Sequence, residues 1–148
     1  IREAAKRERE ERGAPLCRKV VNISSVSGLY GAATQIAYSA GKAAQIGITR
    51  TLAKEWGRYN VTVNCVAFGH IETRLTQPYT DAPATIEVKG RPHKVGLTPD
   101  FLETIRALTP LGRPGTPEDA AGAVSLFCYP ESNYISGQVV VCGGGLLL

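Results

Sequence analysis

The chain has 148 residues, 43% of them hydrophobic and 20% charged, a balance that suits one ordinary domain with its own core and excludes a disordered chain. Its formal charge of +4 sits mostly in residues 1–19, which hold seven Lys/Arg and four Glu; the remainder is nearly neutral, with no basic patch interleaved with aromatics, so no nucleic-acid partner is expected. No apolar run approaches the roughly 20 residues of a membrane span and no signal-peptide pattern opens the chain, so a soluble, cytoplasmic protein with no membrane partner is expected.

Arg2 to Arg12 reads as an exposed helix, with Glu3–Arg7, Lys6–Glu10 and Glu8–Arg12 at i,i+4 spacing. Gly13-Ala14-Pro15 supplies a helix end and turn. Lys19 to Ser24 is a short β-rich run whose near-continuous apolar character suits a strand buried on both faces. A long helix follows from about Gln35 to Gly57, with Ile36, Ala40, Ala43, Ala44, Gly47, Ile48, Leu52 and Trp56 forming a broad apolar face. Val61 to Ala67 is a second β-rich run after the Arg58-Tyr59-Asn60 turn.

The stretch from about Gly69 to Pro99 is dense in Pro, Gly and Thr, and its Ile86–Val95 core suits a small hairpin about Gly90. Thr98-Pro99-Asp100 starts a helix through about Ala107, with Pro at the first helical position. Thr116-Pro117-Glu118-Asp119 starts another, its acidic first turn complementing the macrodipole. Gln138 to Cys142 reads as a third strand, closed by Gly143-Gly144-Gly145. Strands alternating with helices predict an α/β fold, a parallel sheet with helices on its faces. Cys17, Cys65, Cys128 and Cys142 are spread singly, which gives neither a metal site nor a disulfide framework.

The chemistry concentrates in one constellation. Tyr38 and Lys42 stand four apart near the start of the long helix and share a face. An ammonium beside a phenol favours the phenolate and suits it to acid/base work. Such a pair alone is also a common surface or packing pair. Its context is more specific: Asn22-Ile-Ser-Ser25 ends a buried strand thirteen residues earlier, at the place where parallel α/β proteins hold their ligands.

Asn22-Ile-Ser-Ser25 with Gly28, Tyr38-Ser-Ala-Gly-Lys42, Val63-Asn-Cys-Val-Ala-Phe-Gly69 with Ile71 and Thr73, Pro110-Leu-Gly-Arg-Pro-Gly-Thr-Pro-Glu-Asp119 and Tyr134-Ile-Ser-Gly-Gln138 occur in order. Together they resemble the short-chain dehydrogenase/reductase family, and within it the 3-oxoacyl and carbonyl reductases. The resemblance covers Lys19 to Leu148. It implies the C-terminal part of a doubly wound, Rossmann-like parallel sheet, here three strands with flanking helices. It implies hydride transfer between NADP or NAD and a small-molecule carbonyl or alcohol, such as a 3-oxoacyl thioester or ketone. Ser25, Tyr38 and Lys42 would be catalytic. Tyr38, Lys42, Gly69, Ile71 and Thr73 would meet the cofactor, and Ser25, Gln35 and His70 the substrate. It further implies a homo-oligomer built through the long helix 35–57.

Departures from the family pattern are visible. Phe68-Gly69 stands where Pro-Gly is usual, Cys142-Gly143-Gly144 where Asp-Gly-Gly is usual, and His70 where an apolar aromatic is common. His70 either fills that aromatic slot or faces the substrate. Lys89, Arg91, His93 and Lys94 form either a solvated loop tip or a contact for an anionic substrate such as a phosphopantetheine thioester. No glycine-rich phosphate turn and no acidic ribose-binding residue precede these motifs. The chain also contains no methionine and begins with Ile1. The expectation is therefore a C-terminal catalytic part, residues 1–148, without its dinucleotide-binding half, poorly binding cofactor and inactive alone. A non-catalytic oligomerisation piece is the alternative reading. An extended-family epimerase is disfavoured by the Ile71-x-Thr73 loop and the short C-terminal region.

Overall fold

The computed structural model describes residues 1–13, 16–78 and 85–146. Helix α1 (Arg2–Arg12) leads to strand β1 (Arg18–Ser25), a one-turn helix α2 (Val26–Tyr30) and the long helix α3 (Ile36–Trp56). Strand β2 (Val61–Phe68) follows, then a hairpin of β3 (Thr85–Val88) and β4 (Arg91–Lys94). Helices α4 (Pro99–Leu108) and α5 (Pro117–Ser125) precede the last strand, β5 (Val139–Cys142). The main sheet is parallel, in the order β1-β2-β5, which is the expected three-stranded α/β arrangement. Cys17, Cys65, Cys128 and Cys142 are free thiols.

β2 is the centre of the core. Every residue from Val61 to Ala67 is buried, because β2 is flanked by β1 and β5 and packed against α3 and α5. Each fully buried valine there contributes about 1.5–3 kcal/mol of apolar burial. Polar positions within it are satisfied internally. The Asn64 Nδ2 donates to the Ile135 carbonyl at 2.8 Å and its Oδ1 accepts from the Gln138 N–H at 3.1 Å, which ties the approach of β5 to the middle of β2.

Three expectations change. β1 is only half-buried along most of its length, and Ile23 is 38% exposed. Among the described residues it pairs on one side only, with β2, and its other edge is open. On α3 the inward positions are Ile46 and Thr49, with Leu52, Ala53 and Trp56 partly buried against the core. The expected apolar face turns outward over its first half, where Ile36 is 87% exposed and Ala40, Ala43, Ala44, Gly47 and Ile48 are also exposed. Thr49 sits on the inner face because both its hydrogen bonds are made there, to the Gln45 carbonyl and from the Asn22 amide.

α1 is the third. It is not wholly solvated, because Ala5 is fully buried against Val61 and Val63. The i,i+4 ion pairs expected along it are replaced by Lys6–Glu3, Arg2–Glu3 and a two-pronged Arg18–Glu8 bridge that fastens the helix to β1. Gly13 ends α1 at φ 74°, its N–H bonding the Arg9 carbonyl, while Ala14 and Pro15 lie outside the described residues. The hairpin turns through Lys89 and Gly90, both at positive φ, the conformation a two-residue hairpin loop needs.

Candidate active site

Residue pairing sets the site. Ser25 lies opposite Phe68, and Phe68 opposite Cys142, so the three strands end in line. In an open parallel sheet this carboxyl edge is the ligand edge. Ser25 closes β1 in extended conformation and N-caps α2, its Oγ accepting the Ser27 N–H at 3.2 Å. Capping uses an oxygen lone pair, so the hydroxyl hydrogen stays available for donation.

Lys42 is held at the same corner by its backbone. The Ser24 hydroxyl donates to the Lys42 carbonyl at 2.8 Å. A Cβ on Gly28 would lie 2.7 Å from the Lys42 carbonyl carbon and 2.8 Å from its Cβ. Only glycine permits so close an approach of α2 to α3. From this anchored backbone the ammonium reaches the Ile23 carbonyl at 3.3 Å and stands 5.6 Å from the centre of the Tyr38 ring, within cation–π range. Tyr38, one turn earlier, is 48% exposed. The ammonium thus lies between the Tyr38 ring and the Ile23 carbonyl near the end of β1, the strand that Ser25 closes. Gln35 caps the same helix from an exposed position and makes no side-chain capping bond.

The segment after β2 is fixed by contacts from far along the chain. The Gly69 N–H bonds the Cys142 carbonyl at 2.9 Å, and a Cβ on Gly69 would meet the Gly143 Cα at 2.8 Å. Ile71 forms a parallel bridge with Gly115, in which the Gly115 N–H donates to the His70 carbonyl at 3.0 Å and the Glu72 N–H donates to the Gly115 carbonyl at 2.8 Å. Thr73 caps a turn of 3-10 helix through Thr76, whose hydroxyl donates to the Ile71 carbonyl at 2.8 Å.

His70 is half-buried, and desolvation pushes its imidazole below the ordinary range against a smaller opposing effect of Glu72. It lines a groove of about 880 Å³ against α4, together with Glu72, Leu102, Glu103, Arg106 and Pro110. The motif spacing alone did not disclose the Gly115–Ile71 bridge, the Ser24–Lys42 bond or the Asn64 bracket. Each joins residues that are 18 to 74 positions apart.

Among the described residues no group of His, Cys, Asp and Glu is placed to hold a metal ion. The donor set does fit part of a nicotinamide nucleotide. Lys42 has three N–H donors with one directed at Ile23, which leaves donors for a ribose diol. The Gly69–Thr73 backbone follows directly on Phe68, the partner of Ser25 across the sheet.

Comparisons with known proteins agree with this geometry. Residues 2–147 match the family model described as enoyl-(acyl carrier protein) reductase. The 3-oxoacyl-[acyl-carrier-protein] reductase of Thermotoga maritima is 40% identical over 129 residues, which are 87% of this chain and 45% of that protein. The (3R)-3-hydroxyacyl-CoA dehydrogenase of Canis lupus familiaris is 37% identical over 133 residues, 89% of this chain and 44% of that protein. Among solved structures, a 4-hydroxyisoleucine dehydrogenase complexed with NADH and succinate superposes with a TM-score of 0.73 at 30% identity, covering 98% of this chain and 51% of that one. A 3-oxoacyl-[acyl-carrier protein] reductase from Brucella melitensis gives 0.70 at 32% identity, covering 88% and 42%. The chain thus spans a little under half the length of these curated relatives. An ordered run of motifs, a parallel sheet whose strands end at one edge, and relatives of that kind lead to one assignment: the chain belongs to the short-chain dehydrogenase/reductase family of oxidoreductases.

Proposed function

We propose that residues 1–148 are the C-terminal catalytic part of a single Rossmann-like domain that reduces a carbonyl or oxidises the matching alcohol with NADP or NAD. A 3-oxoacyl thioester or a ketone is the substrate class. One observation carries the reading: the Lys42 ammonium stands 5.6 Å from the centre of the Tyr38 ring and bonds the carbonyl of Ile23, two residues before the strand-end Ser25. A purely structural helix gains nothing from grouping these three polar side chains at an open sheet edge.

The bound nicotinamide supplies the hydride in reduction and accepts it in oxidation. The chain's own residues do the rest. Tyr38 gives its phenolic proton to the oxygen on which negative charge develops. Ser25 donates its hydroxyl hydrogen to the same oxygen, stabilising charge where it forms. Lys42 favours the phenolate electrostatically after the proton leaves and holds the ribose hydroxyls with its remaining N–H groups. Gly69, Ile71 and Thr73 meet the nicotinamide amide. Gln35, at the exposed N-terminus of α3, and His70, whose imidazole pKa is lowered by burial, border the substrate.

The reading includes a homo-oligomer through helix 35–57, supported by the outward Ile36, Ala40, Ala44 and Ile48 on α3. It also includes a cytoplasmic location, supported by the absence, among the described residues, of any helix long and apolar enough to cross a membrane. A phosphate-cradling glycine turn does not occur in residues 1–148, so these residues alone are proposed to bind the dinucleotide weakly and to be inactive.

The test is turnover of NADPH and NADH by the intact protein with a 3-oxoacyl thioester and with a small ketone. Tyr38→Phe is expected to lower kcat by about 10²–10⁴-fold. Undiminished turnover in that variant would refute the role given to Tyr38.

A further inference from the structure

The Ile71–Thr73 segment has no regular structure of its own, yet its backbone is held from one side by a clasp built in the first turn of α5. Arg113 and Asp119 form a two-pronged ion pair, Nη1 to Oδ2 at 2.6 Å and Nη2 to Oδ1 at 3.3 Å. The same carboxylate accepts the Thr116 N–H at 2.9 Å, while the Thr116 hydroxyl accepts the Asp119 N–H at 3.2 Å. Arg113 also bonds the Pro114 carbonyl at 3.0 Å. The loop from Arg113 to Thr116 is therefore closed on itself, with Gly115 at its centre.

Gly115 is the residue that bridges Ile71, taking the Glu72 N–H and giving its own N–H to His70. In a parallel bridge, the partners of Gly115 are the groups on either side of Ile71, so the N–H and carbonyl of Ile71 itself turn the other way. The carbonyl is occupied there by the Thr76 hydroxyl at 2.8 Å. The Ile71 N–H is left as a directed donor beside the strand-end edge. Arg113 lowers the Asp119 carboxyl to about 2, assisted by the Thr116 N–H, so the clasp stays charged at all physiological pH values.

We infer that Arg113 and Asp119 are positioning residues for cofactor binding: they fix Gly115, which aims the Ile71 N–H at the carboxamide of the nicotinamide. The inference rests on the proposed reading of Ile71 as a nicotinamide contact. Neither side chain touches the cofactor, and their effect runs through the Gly115 backbone. Because the clasp governs one donor to one partner, its loss weakens the dinucleotide while sparing the carbonyl substrate.

The experiment uses the intact protein with NADPH and NADH as probes, and Asp119→Asn, Arg113→Gln and Asp119→Glu as variants. Asp119→Asn is expected to raise the dinucleotide KM on the order of tenfold, with kcat and substrate KM nearly unchanged. Hydrogen exchange at the Glu72 amide is expected to accelerate in parallel, and Asp119→Glu to restore part of both. Arg113→Gln gives the same pattern should Asp119→Asn fail to fold. Unchanged Glu72 exchange and unchanged dinucleotide KM overturn the inference, as does an equal rise in both KM values with a lowered unfolding midpoint, the sign of a merely structural role. A wild-type protein without nicotinamide-dependent turnover overturns the functional reading and with it the nicotinamide target. The Glu72 exchange then still decides whether the clasp holds the segment.

Discussion

The two halves of the candidate site are held in opposite ways. Around Ser25 and Lys42 the elements are close in sequence, and they lock by contact: Gly28 lies against the Lys42 backbone, and Ser24 bonds the Lys42 carbonyl. Around Gly69 to Thr73, besides the local Thr76 cap, the chain is fastened by residues 43 or more positions away, through Gly115, Cys142 and Gly143. Steric locking makes the Ser25–Lys42 corner intolerant of added atoms. Hydrogen-bond lacing leaves the Gly69–Thr73 segment dependent on the charge and geometry of distant loops.

The contrast can be broken first at Asn64, which brackets the Ile135 carbonyl and the Gln138 N–H from inside the core. Asn64→Ala strands both backbone groups, and each unsatisfied group costs about 1–3 kcal/mol. A loss of about 3 kcal/mol in denaturant stability is expected. A loss under about 1 kcal/mol would mean that the approach to β5 is held by other contacts.

Gly28→Ala should come next, at about 1–3 kcal/mol of overpacking, because the added methyl meets backbone atoms that cannot rotate away. Turnover should fall with it as Lys42 is displaced. The control is Gly122→Ala in α5, where an added Cβ meets nothing within 4 Å. There the same change should stabilise by about 0.5–1 kcal/mol through helix propensity. Equal effects at the two glycines would remove the distinction between locked and open helix contacts.

The smallest effect is one of acidity. The folded Asp119 carboxyl, lowered to about 2 from an ordinary 3.8 by Arg113, contributes stability that is fully present above the ordinary value. That contribution disappears as the pH falls from 3.8 through about 2, because the unfolded chain binds the proton first. Wild type and Asp119→Asn should therefore differ by a constant amount between pH 5 and 8. Their acid-unfolding curves should converge near pH 2. Parallel curves down to that pH would show that the ion pair adds nothing to the loop.

Part of the Ser25–Lys42 corner was legible in the amino-acid order. Tyr38 and Lys42 lie one helical turn apart and Ser25 ends a β-rich run, but it is the ordered motifs resembling a known family that group them. The parallel sheet, the hairpin at Gly90 and the Thr116 helix start follow likewise from local signals: alternation of strand and helix, a glycine in the middle of a loop-rich stretch, and a Thr-Pro followed by an acidic first turn. Local pattern misled where a face had to be chosen. The alanine and isoleucine stripe of α3 resembles a core face, yet Ile36, Ala40, Ala44 and Ile48 look outward while Ile46 and Thr49 look in. β1 has the composition of a doubly covered strand, yet Arg18 to Asn22 are only half-buried among the described residues. Composition records which side chains tolerate burial, whereas the number of neighbours a strand or helix acquires depends on the rest of the sheet.

The sequence by itself determined the main strands and helices and a parallel sheet, because these rest on periodicity and alternation along the chain, while Ser25, Tyr38 and Lys42 were singled out by the resemblance of their motifs to a family. Only the tertiary structure decided which face of α3 is inward, that Glu8 bridges to Arg18 and not along its own helix, and that Gly115 lies beside Ile71. Those contacts join residues whose separation is set by how strands pair and loops return. No local preference of the chain encodes that distance.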